Sequence, residues 1–424
     1  MESHSEMVEK IMYIERTIEQ TVKKLSFEFP VIVLTGARQV GKSTMLQMIK
    51  EENMNYVTLD DLDVRNLAVN DPKYFLEQYS YPLLIDEIQH AANLLPYIKM
   101  IVDEKSLKNL KNNEPTKPLF WLTGSQQFNV MKNISESLAG RVGVLSLYSL
   151  SLSEITCRAS SPFSPKIAEL KKKNISQTLD SKQIFERIYR GGMPKIVVQA
   201  VDRNNYFSSY LNTYIERDVR QLLNVGKTLE FYNFMQYIAV RTAQEVNYNS
   251  IAGDIGIDSK TVKNWLSILE ASGIIYLLQP YYSNLPNRII KSPKLYFMDT
   301  GLCSYLAKYP DAQTLEVGAL GGAIFETFVV SEIIKNLTSH GIDPRMCLYY
   351  YRDKEQKEID LIYVEGDTLY PVEIKKGVSP SNPDKNFDVL EKYSKDVATG
   401  IVLCMSKSLQ PINKNCWLVP IEYI

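Results

Sequence analysis

Cysteine is scarce and scattered in this sequence. Its five cysteines include no pair in C-x-x-C spacing, so neither a disulfide framework nor a zinc site is indicated. No run of about 18 apolar residues occurs that would predict a membrane-spanning helix. The first residues, MESHSEMVEKIMYIERTIEQ, are polar and acidic, unlike a secretion signal. We therefore expect a soluble, cytoplasmic protein with no membrane association.

An excess of charge of one sign is also lacking. The chain has 48 Lys and Arg against 49 Asp and Glu, a net charge of −1. Such a balance excludes a surface that is basic throughout, although a local basic patch would be averaged away, so nucleic-acid binding stays open. With 45% hydrophobic residues the composition is that of an ordinary globular protein. A length of 424 residues predicts two or three domains.

Short apolar runs alternate with helical patterns from residue 31 to about 150. Continuous apolar runs of this length are typical of strands buried on both faces, and their alternation with helices predicts a parallel α/β sheet. The runs are VIVLT (31–35), YVTL (56–59), PLLID (82–86), LFWLT (119–123) and VLSL (144–147).

The pattern changes twice further along the chain. It becomes helical between about 180 and 280, and short strands return after YYSNLPNRIIKSPK (281–294), which contains Pro and Asn. We therefore predict three domains, over residues 1–178, 179–284 and 285–424.

The segment VIVLTGARQVGKSTML (31–46) reads as a strand, the loop G-x-x-x-x-G-K-S and the start of a helix. Backbone N–H groups of such a loop cradle phosphates, Lys42 can reach the β and γ phosphates, and the Ser43 hydroxyl can bind Mg²⁺. This predicts ATP and Mg²⁺ as ligands. The predicted nucleotide-binding residues are Gly36, Ala37, Arg38, Gln39, Val40, Gly41, Lys42, Ser43 and Thr44.

Two carboxylates end the next buried strand in YPLLIDEIQ (81–89). In a doubly wound sheet they lie beside the phosphate loop. We predict that Asp86 holds Mg²⁺ and that Glu87 orients and activates the attacking water.

Two further polar residues follow strands. Ser125, with Gln126 as the second choice, can act as a nucleotide sensor in LTGSQQ (122–127), or the strand end merely caps a helix. Arg141 precedes the fifth strand. It can stabilise transition-state charge, in its own subunit or in a neighbouring one, or it can form an ordinary ion pair.

The motifs GARQVGKST, LLIDEIQ, LTGSQ, SLAGRV, RGGMP and YIERDVR together resemble a family of prokaryotic ATP-binding proteins. In this family an AAA-type ATPase domain precedes a C-terminal domain of unknown function, number 4143. The resemblance covers nearly the whole chain. It implies an AAA-like P-loop sheet with the first strand central, ATP as ligand, and a C-terminal α/β domain similar to the PD-(D/E)XK nucleases. AAA-type relatives often form rings, so a homo-oligomer stays open.

A helix-turn-helix pattern is present in NYNSIAGDIGIDSKTVKNWLSILEASGIIYLLQPY (247–281). Asp258 or Ser259 can cap the second helix, and an apolar strand follows, as in a winged helix-turn-helix. Such domains bind double-stranded DNA, or serve as lids and protein-binding modules. For DNA, the residues near the start of the recognition helix are Lys260, Thr261, Lys263 and Asn264.

The stretch EIDLIYVEGDTLYPVEIKKG (358–377) predicts a β-hairpin. In PD-(D/E)XK sites an Asp and a Glu on neighbouring strands bind Mg²⁺, and a Lys two residues after the Glu positions the water that attacks phosphorus. Asp360, Glu373 and Lys375 fit this pattern, and Glu326 on an upstream helix would complete the metal site. Alternating acidic and basic residues are also common on edge strands for solubility, and a shared nuclease-like fold does not carry activity with it.

Two functions are compatible with these patterns. The first is a Mg²⁺-dependent ATPase, forming ADP and phosphate, that regulates a DNA-directed nuclease-like module. The alternative is a nucleotide-dependent switch that binds protein partners through a catalytically silent nuclease fold.

Overall fold

The computed structural model describes residues 13–115, 117–124, 134, 137–175, 177–199, 201–214, 228–282, 292–393 and 396–424. Its strands are β1 (Val31–Thr35), β2 (Asn55–Thr58), β3 (Leu83–Asp86), β4 (Phe120–Gly124), β5 (Val142–Ser146), β6 (Gln244–Glu245), β7 (Ile275–Leu278), β8 (Lys294–Phe297), β9 (Leu348–Arg352), β10 (Glu358–Glu365), β11 (Thr368–Lys375), β12 (Asp396–Val397), β13 (Gly400–Cys404), β14 (Gln410–Asn413) and β15 (Cys416–Pro420).

The α-helices are α1 (Ile18–Ser26), α2 (Lys42–Ile49), α3 (Leu62–Asn70), α4 (Pro72–Gln78), α5 (Leu95–Asn112), α6 (Leu152–Ile155), α7 (Ile167–Leu170), α8 (Ser181–Arg190), α9 (Pro194–Gln199), α10 (Arg203–Tyr214), α11 (Thr228–Ala239), α12 (Tyr248–Ile255), α13 (Ser259–Ala271), α14 (Thr300–Leu306), α15 (Ala312–Val317), α16 (Gly321–Ser339) and α17 (Pro344–Cys347). Among the described residues, 3₁₀ helices span Ile88–Leu94, Phe387–Lys392 and Ile421–Tyr423.

The first sheet is parallel and has the strand order β2-β3-β4-β1-β5. All five residues of β1 are buried, as its unbroken apolar run VIVLT predicts for a strand covered on both faces. The predicted parallel α/β sheet is therefore confirmed. Because the strands are parallel, the phosphate loop after β1 lies at the same edge as the carboxyl ends of β3 and β4.

The middle part contains a helix-turn-helix and a small antiparallel sheet. Helix α12 ends at Gly256, which has φ +77°, and Asp258 caps α13 by accepting from the Thr261 N–H at 2.9 Å. A sheet with the order β6-β8-β7 follows. Since β7 pairs with β8, strand pairing continues across the domain boundary predicted at 284–285.

The C-terminal part is a mixed sheet covered by α16. Its order is β14-β15-β13-β11-β10-β9, with β12 beside β11. The predicted hairpin is formed by the antiparallel strands β10 and β11, while β11 pairs in parallel with β13. Strand β9 contains three consecutive buried tyrosines: Tyr349, Tyr350 and Tyr351.

One hydrophobic cluster runs through all three parts of the chain. Leu34 of β1, Phe234 of α11 and Ile334 of α16 belong to it, and each is fully buried. Two smaller clusters cover the opposite faces of the first and last sheets. The three parts therefore share a core.

Candidate nucleotide site and C-terminal carboxylate site

The phosphate loop curves tightly against the residues that follow β5. Gly36 has φ +144°, and a Cβ there would lie 2.1 Å from the Leu147 carbonyl oxygen. Gly41, at the start of α2, has φ +95°. Side chains are excluded at Gly36 by both the dihedral angle and the close contact, so this glycine fixes the shape of the loop.

Lys42 is folded back across the loop. Its side chain is buried, and Nζ donates to the carbonyl oxygens of Gly36 at 3.0 Å and Ala37 at 2.9 Å. These contacts hold the ammonium at the loop, where an anion bound by the loop N–H groups would meet it.

The predicted magnesium residues Ser43 and Asp86 are brought together. The Ser43 hydroxyl donates to Asp86 Oδ1 at 2.7 Å, and the Thr123 hydroxyl donates to the same oxygen. Tyr56 donates to Oδ2 at 3.4 Å. A hydroxyl beside a carboxylate at the mouth of a phosphate loop suits Mg²⁺, which takes few protein ligands and keeps several waters.

Glu87 is held in a strained backbone conformation. Its φ is +59°, which is uncommon for a residue with a side chain. The Glu87 N–H donates to the Thr123 hydroxyl at 3.1 Å, and the Gln89 amide donates to the Glu87 carboxylate. Thr123 thus positions both acidic residues. The sequence analysis missed it, although it is the penultimate residue of β4, two positions before Ser125.

A cavity of about 690 Å³ opens beside the phosphate loop. Its volume lies in the range of small-molecule sites. The loop residues Arg38 to Thr44 and Glu87 line one side. The other sides come from residues that the sequence analysis did not assign to the site: Tyr13, Ile14, Arg16, Met48, Leu150, Pro194, Lys195, Val198, Gln199 and Thr213.

The α9 wall of this cavity is fixed by the RGGMP segment. The Gly192 N–H donates to Asp299 Oδ2 at 3.0 Å, and its carbonyl accepts from the Leu150 N–H at 2.8 Å. A Cβ at Gly192 would lie 2.2 Å from the Leu150 carbonyl oxygen. The motif therefore has a packing reason that its sequence alone did not reveal.

Two other predicted residues are not placed in the cavity. Arg141 does not line it, and its guanidinium contacts the Asp103 carboxylate, with Nε 2.5 Å from Oδ1. Ser125 and its alternative Gln126 lie outside the described residues. The catalytic role of Arg141 and the sensor role of Ser125 stay predictions.

The hairpin brings Asp360, Glu373 and Lys375 together. Lys375 Nζ lies 2.5 Å from Glu373 Oε1 and 3.4 Å from Asp360 Oδ2, and that Asp360 oxygen also accepts the Ile374 N–H at 2.8 Å. Glu373 Oε2 is buried and has no hydrogen-bond partner. Burial, together with the Asp360 charge, raises the pKa of Glu373 to about 8 although Lys375 opposes this.

Glu326 is engaged by a different part of the chain. Lys294 Nζ lies 3.1 Å from Glu326 Oε1, and the Tyr296 hydroxyl donates to the same oxygen at 2.7 Å. Lys294 also pairs with Glu358. Burial raises the pKa of Glu326 to about 7, with Lys294 acting in the opposite direction. The sequence analysis missed Lys294 because it lies in the segment assigned to a domain boundary.

The predicted three-carboxylate metal site is not assembled as expected. Within the described residues, no three Asp, Glu, His or Cys side chains are grouped so that they could hold a metal ion. Asp360 and Glu373 remain a pair, whereas Glu326 faces Lys294. The physical reason is the buried ammonium, which takes the position of a counter-ion for Glu326.

The second helix of the helix-turn-helix presents a polar face to solvent. Lys260, Lys263 and Asn264 are exposed, whereas Val262, Trp265 and Leu266 on the opposite side are buried. In the part of the chain that the structure covers, no helix has the length and apolarity needed to cross a membrane.

Several relatives resemble most of this chain. Uncharacterized proteins of Mycobacterium tuberculosis and Mycobacterium bovis are each 26% identical over 358 residues, which is 83% of this chain and 71% of theirs. An uncharacterized protein of Methanocaldococcus jannaschii is 23% identical over 319 residues, 67% of this chain and 63% of its own.

Two solved structures align with most of this chain at low sequence identity and low TM-score. A Walker-type ATPase of Pyrococcus abyssi aligns with 13% identity and a TM-score of 0.41, over 70% of this chain and 97% of that one. Cdc6p from Pyrobaculum aerophilum aligns with 11% identity and a TM-score of 0.25, over 77% of this chain and 96% of that one.

Family models match three successive parts of the chain. An AAA domain matches residues 28–156, domain of unknown function 8612 matches residues 181–313, and domain of unknown function 4143 matches residues 321–424. The first match contains the phosphate loop with Asp86 and Glu87, and the last contains the hairpin with Asp360 and Glu373. The chain thus contains an AAA domain followed by a C-terminal domain of unknown function 4143, the arrangement that its sequence motifs predicted.

Proposed function

We propose that the protein is a Mg²⁺-dependent ATPase that converts ATP to ADP and phosphate and thereby controls a DNA-directed, nuclease-like C-terminal module. One observation carries the ATPase proposal. Lys42, Ser43 and Glu87 line one cavity of about 690 Å³, and Asp86 contacts Ser43 at its edge. This is the set of groups that phosphoryl transfer to water requires.

Each of these residues has a separate task. The loop N–H groups and Lys42 bind the β and γ phosphates, and they stabilise the charge that develops during transfer. Glu87 orients the attacking water and accepts its proton. Ser43 and Asp86 would hold Mg²⁺, which supplies charge neutralisation at the phosphates when it is bound.

The ATPase proposal is tested by measuring phosphate release with saturating Mg²⁺ and ATP. Lys42→Ala removes the phosphate-binding ammonium, so hydrolysis should fall to background. Lys111→Ala, an exposed lysine at the end of α5, is the matched control and should hydrolyse ATP at the parent rate. Parent-like hydrolysis by Lys42→Ala would refute the assignment of the site.

The C-terminal module carries a second, weaker set of groups. The Glu373 Oε2 atom is buried without a hydrogen-bond partner. A buried carboxylate oxygen of this kind favours a cation beside Glu373 and Asp360. Two carboxylates suffice for Mg²⁺, which usually keeps several waters. Asp360 and Glu373 would hold the metal, which would lower the pKa of a bound water, and Lys375 would orient that water toward a phosphodiester.

DNA direction rests on the middle part of the chain. The helix-turn-helix followed by the antiparallel strands β7 and β8 is the element order of a winged helix. Lys260 and Lys263 on its exposed face would contact phosphates. Replacing both with Ala should weaken DNA binding and flatten its salt dependence, by a slope of about one for each lost phosphate contact.

The nuclease proposal is tested on supercoiled and linear DNA with Mg²⁺ or Mn²⁺, with and without ATP. The proposal is supported if the parent cuts DNA and both Asp360→Asn and Lys375→Met abolish cutting. Glu391→Gln, on the exposed surface, is the control and should still cut. No cutting by the parent under any condition, with ATP hydrolysis intact, would reject it.

A protein-binding switch is the second candidate function. The ion pair of Lys294 with Glu326 favours it, because a lysine of the chain already neutralises one carboxylate of the predicted metal site. In this case the C-terminal sheet would be a scaffold for a protein partner. Salt-independent or absent DNA binding, together with ATP hydrolysis, would favour this function.

A further inference from the structure

Lys294 is a fully enclosed cation at the C-terminal carboxylate site. Its side chain is 1% exposed, Nζ pairs with Glu326 and Glu358, and it lies 5.6 Å from the centre of the Tyr350 ring. The two ion-pair partners of Nζ are both carboxylates, so the geometry holds the ammonium in its charged form.

The lysine belongs to a strand outside the C-terminal sheet. Lys294 is the first residue of β8, where it pairs with Leu278 of β7 and Glu245 of β6. The Tyr350 hydroxyl donates to the Ser292 carbonyl at 2.5 Å, just before the strand. Pairing on both sides fixes the backbone, so the ammonium cannot leave its carboxylates by a local rotation of the chain.

The four carboxylates of the site fall into two pairs. Glu326 and Glu358 share Lys294, whereas Asp360 and Glu373 share Lys375. The two lysines differ in their freedom, because the Lys375 side chain is 40% exposed and the Lys294 side chain is 1% exposed. Only Lys375 can swing into water and give up its place to another cation.

We propose that Lys294 is a resident cation that withholds Glu326 from metal binding, so that the site offers only Asp360 and Glu373 to a divalent metal. This inference rests on the proposed metal role of Asp360 and Glu373. It assigns Lys294 as a positioning residue and a determinant of metal affinity. Removing its charge turns Glu326 into a third carboxylate that requires a counter-ion.

The test is Mn²⁺ binding to the nucleotide-free full-length protein, followed by electron paramagnetic resonance. Asp360→Asn identifies the C-terminal site, and it should weaken that binding at least 10-fold. Glu326→Gln should leave the Kd within twofold of the parent, since Glu326 is already neutralised. Lys294→Met should bind Mn²⁺ at least fivefold more tightly, and adding Glu326→Gln to it should abolish that gain.

The outcomes separate this inference from the proposed function. If Glu326→Gln weakens Mn²⁺ binding as much as Asp360→Asn does, the inference is overturned. Glu326→Gln is isosteric with the parent residue, so this result can be obtained even if Lys294→Met does not fold. If Asp360→Asn binds Mn²⁺ as well as the parent does, or if the parent binds none, the proposed metal role of Asp360 and Glu373 is refuted. A Glu326-dependent Mn²⁺ site in Lys294→Met would then still support the resident cation, and its absence would overturn it.

Discussion

The nucleotide site and the C-terminal site both place lysines beside carboxylates, but they satisfy these charges differently. In the nucleotide site, Lys42 Nζ donates to two backbone carbonyls, and Asp86 accepts from the hydroxyls of Ser43 and Thr123. In the C-terminal site, Lys294 and Lys375 each pair directly with carboxylates. Hydroxyl groups position Asp86 in the first site, whereas lysines pair with the carboxylates of the second.

This difference separates a lysine placed to meet a ligand, Lys42, from a lysine that stabilises the fold, Lys294. Lys42 lines a cavity of about 690 Å³ and donates to two backbone carbonyls at its edge. Lys294 lies in the interior, where its removal leaves carboxylates without a counter-ion. The same residue type therefore serves binding in one place and stability in the other.

The largest expected effect is on hydrolysis at the nucleotide site. Glu87→Gln removes the proposed general base but keeps the shape of the side chain, so the turnover number should fall by about 10²–10⁴-fold, the usual contribution of acid–base catalysis. ATP affinity should be preserved, because the phosphate contacts are made by the loop. Phosphate release and equilibrium binding of ATP measure the two quantities separately. Glu104→Gln on the exposed side of α5 is the control, and an equal loss of ATP binding in Glu87→Gln would contradict the assigned role.

The second prediction compares the two buried lysines by their effect on stability. Lys294→Ala leaves Glu326 and Glu358 without their cation, and it should reduce the free energy of unfolding by about 3–5 kcal/mol. Lys42→Ala removes hydrogen bonds to two backbone carbonyls that the cavity opens to water, and it should cost less, about 1–3 kcal/mol. Denaturant unfolding of both variants measures the difference. Equal losses would show that the two sites do not differ in the way described.

The third prediction concerns pH. Burial raises the pKa of Glu326 from 4.5 to about 7 in the folded protein, so the folded state binds more protons than the unfolded state between these values. The free energy of unfolding should therefore fall as pH rises from about 4.5 to about 7, at up to about 1.4 kcal/mol per pH unit from this group. Glu326→Gln should flatten this decline. An unchanged pH profile in the variant would exclude Glu326 as its source.

The smallest expected effect is at Arg141. Its guanidinium pairs with Asp103 on the surface and does not line the nucleotide cavity. Exposed ion pairs contribute little to stability, and Arg141 lies outside the nucleotide cavity. Arg141→Ala should therefore change ATP hydrolysis by the monomer less than about threefold. Hydrolysis measured over a range of protein concentrations checks this. A large loss that appears only at concentrations where the protein self-associates would instead assign Arg141 to a neighbouring subunit.

The sequence predicted those parts of the sites that are local in the chain. The phosphate loop, the acidic pair after β3 and the β10–β11 hairpin each lie within about twenty residues, so spacing alone carries their geometry. Lys294, Thr123 and the α9 wall act through contacts with residues distant in sequence. Lys294 meets Glu326 across 32 residues, and Gly192 meets Asp299 across 107. No periodicity or motif encodes such contacts, because they depend on how the parts of the chain pack together.

The shared hydrophobic cluster has a consequence for how the molecule comes apart. Leu34, Phe234 and Ile334 belong to one cluster although they lie in the first, middle and last parts of the chain. A cut near residue 178 or residue 284 would therefore expose apolar faces on both fragments, where independent domains would leave polar ones. We expect cooperative loss of structure across the whole chain upon heating, and aggregation of the separated fragments.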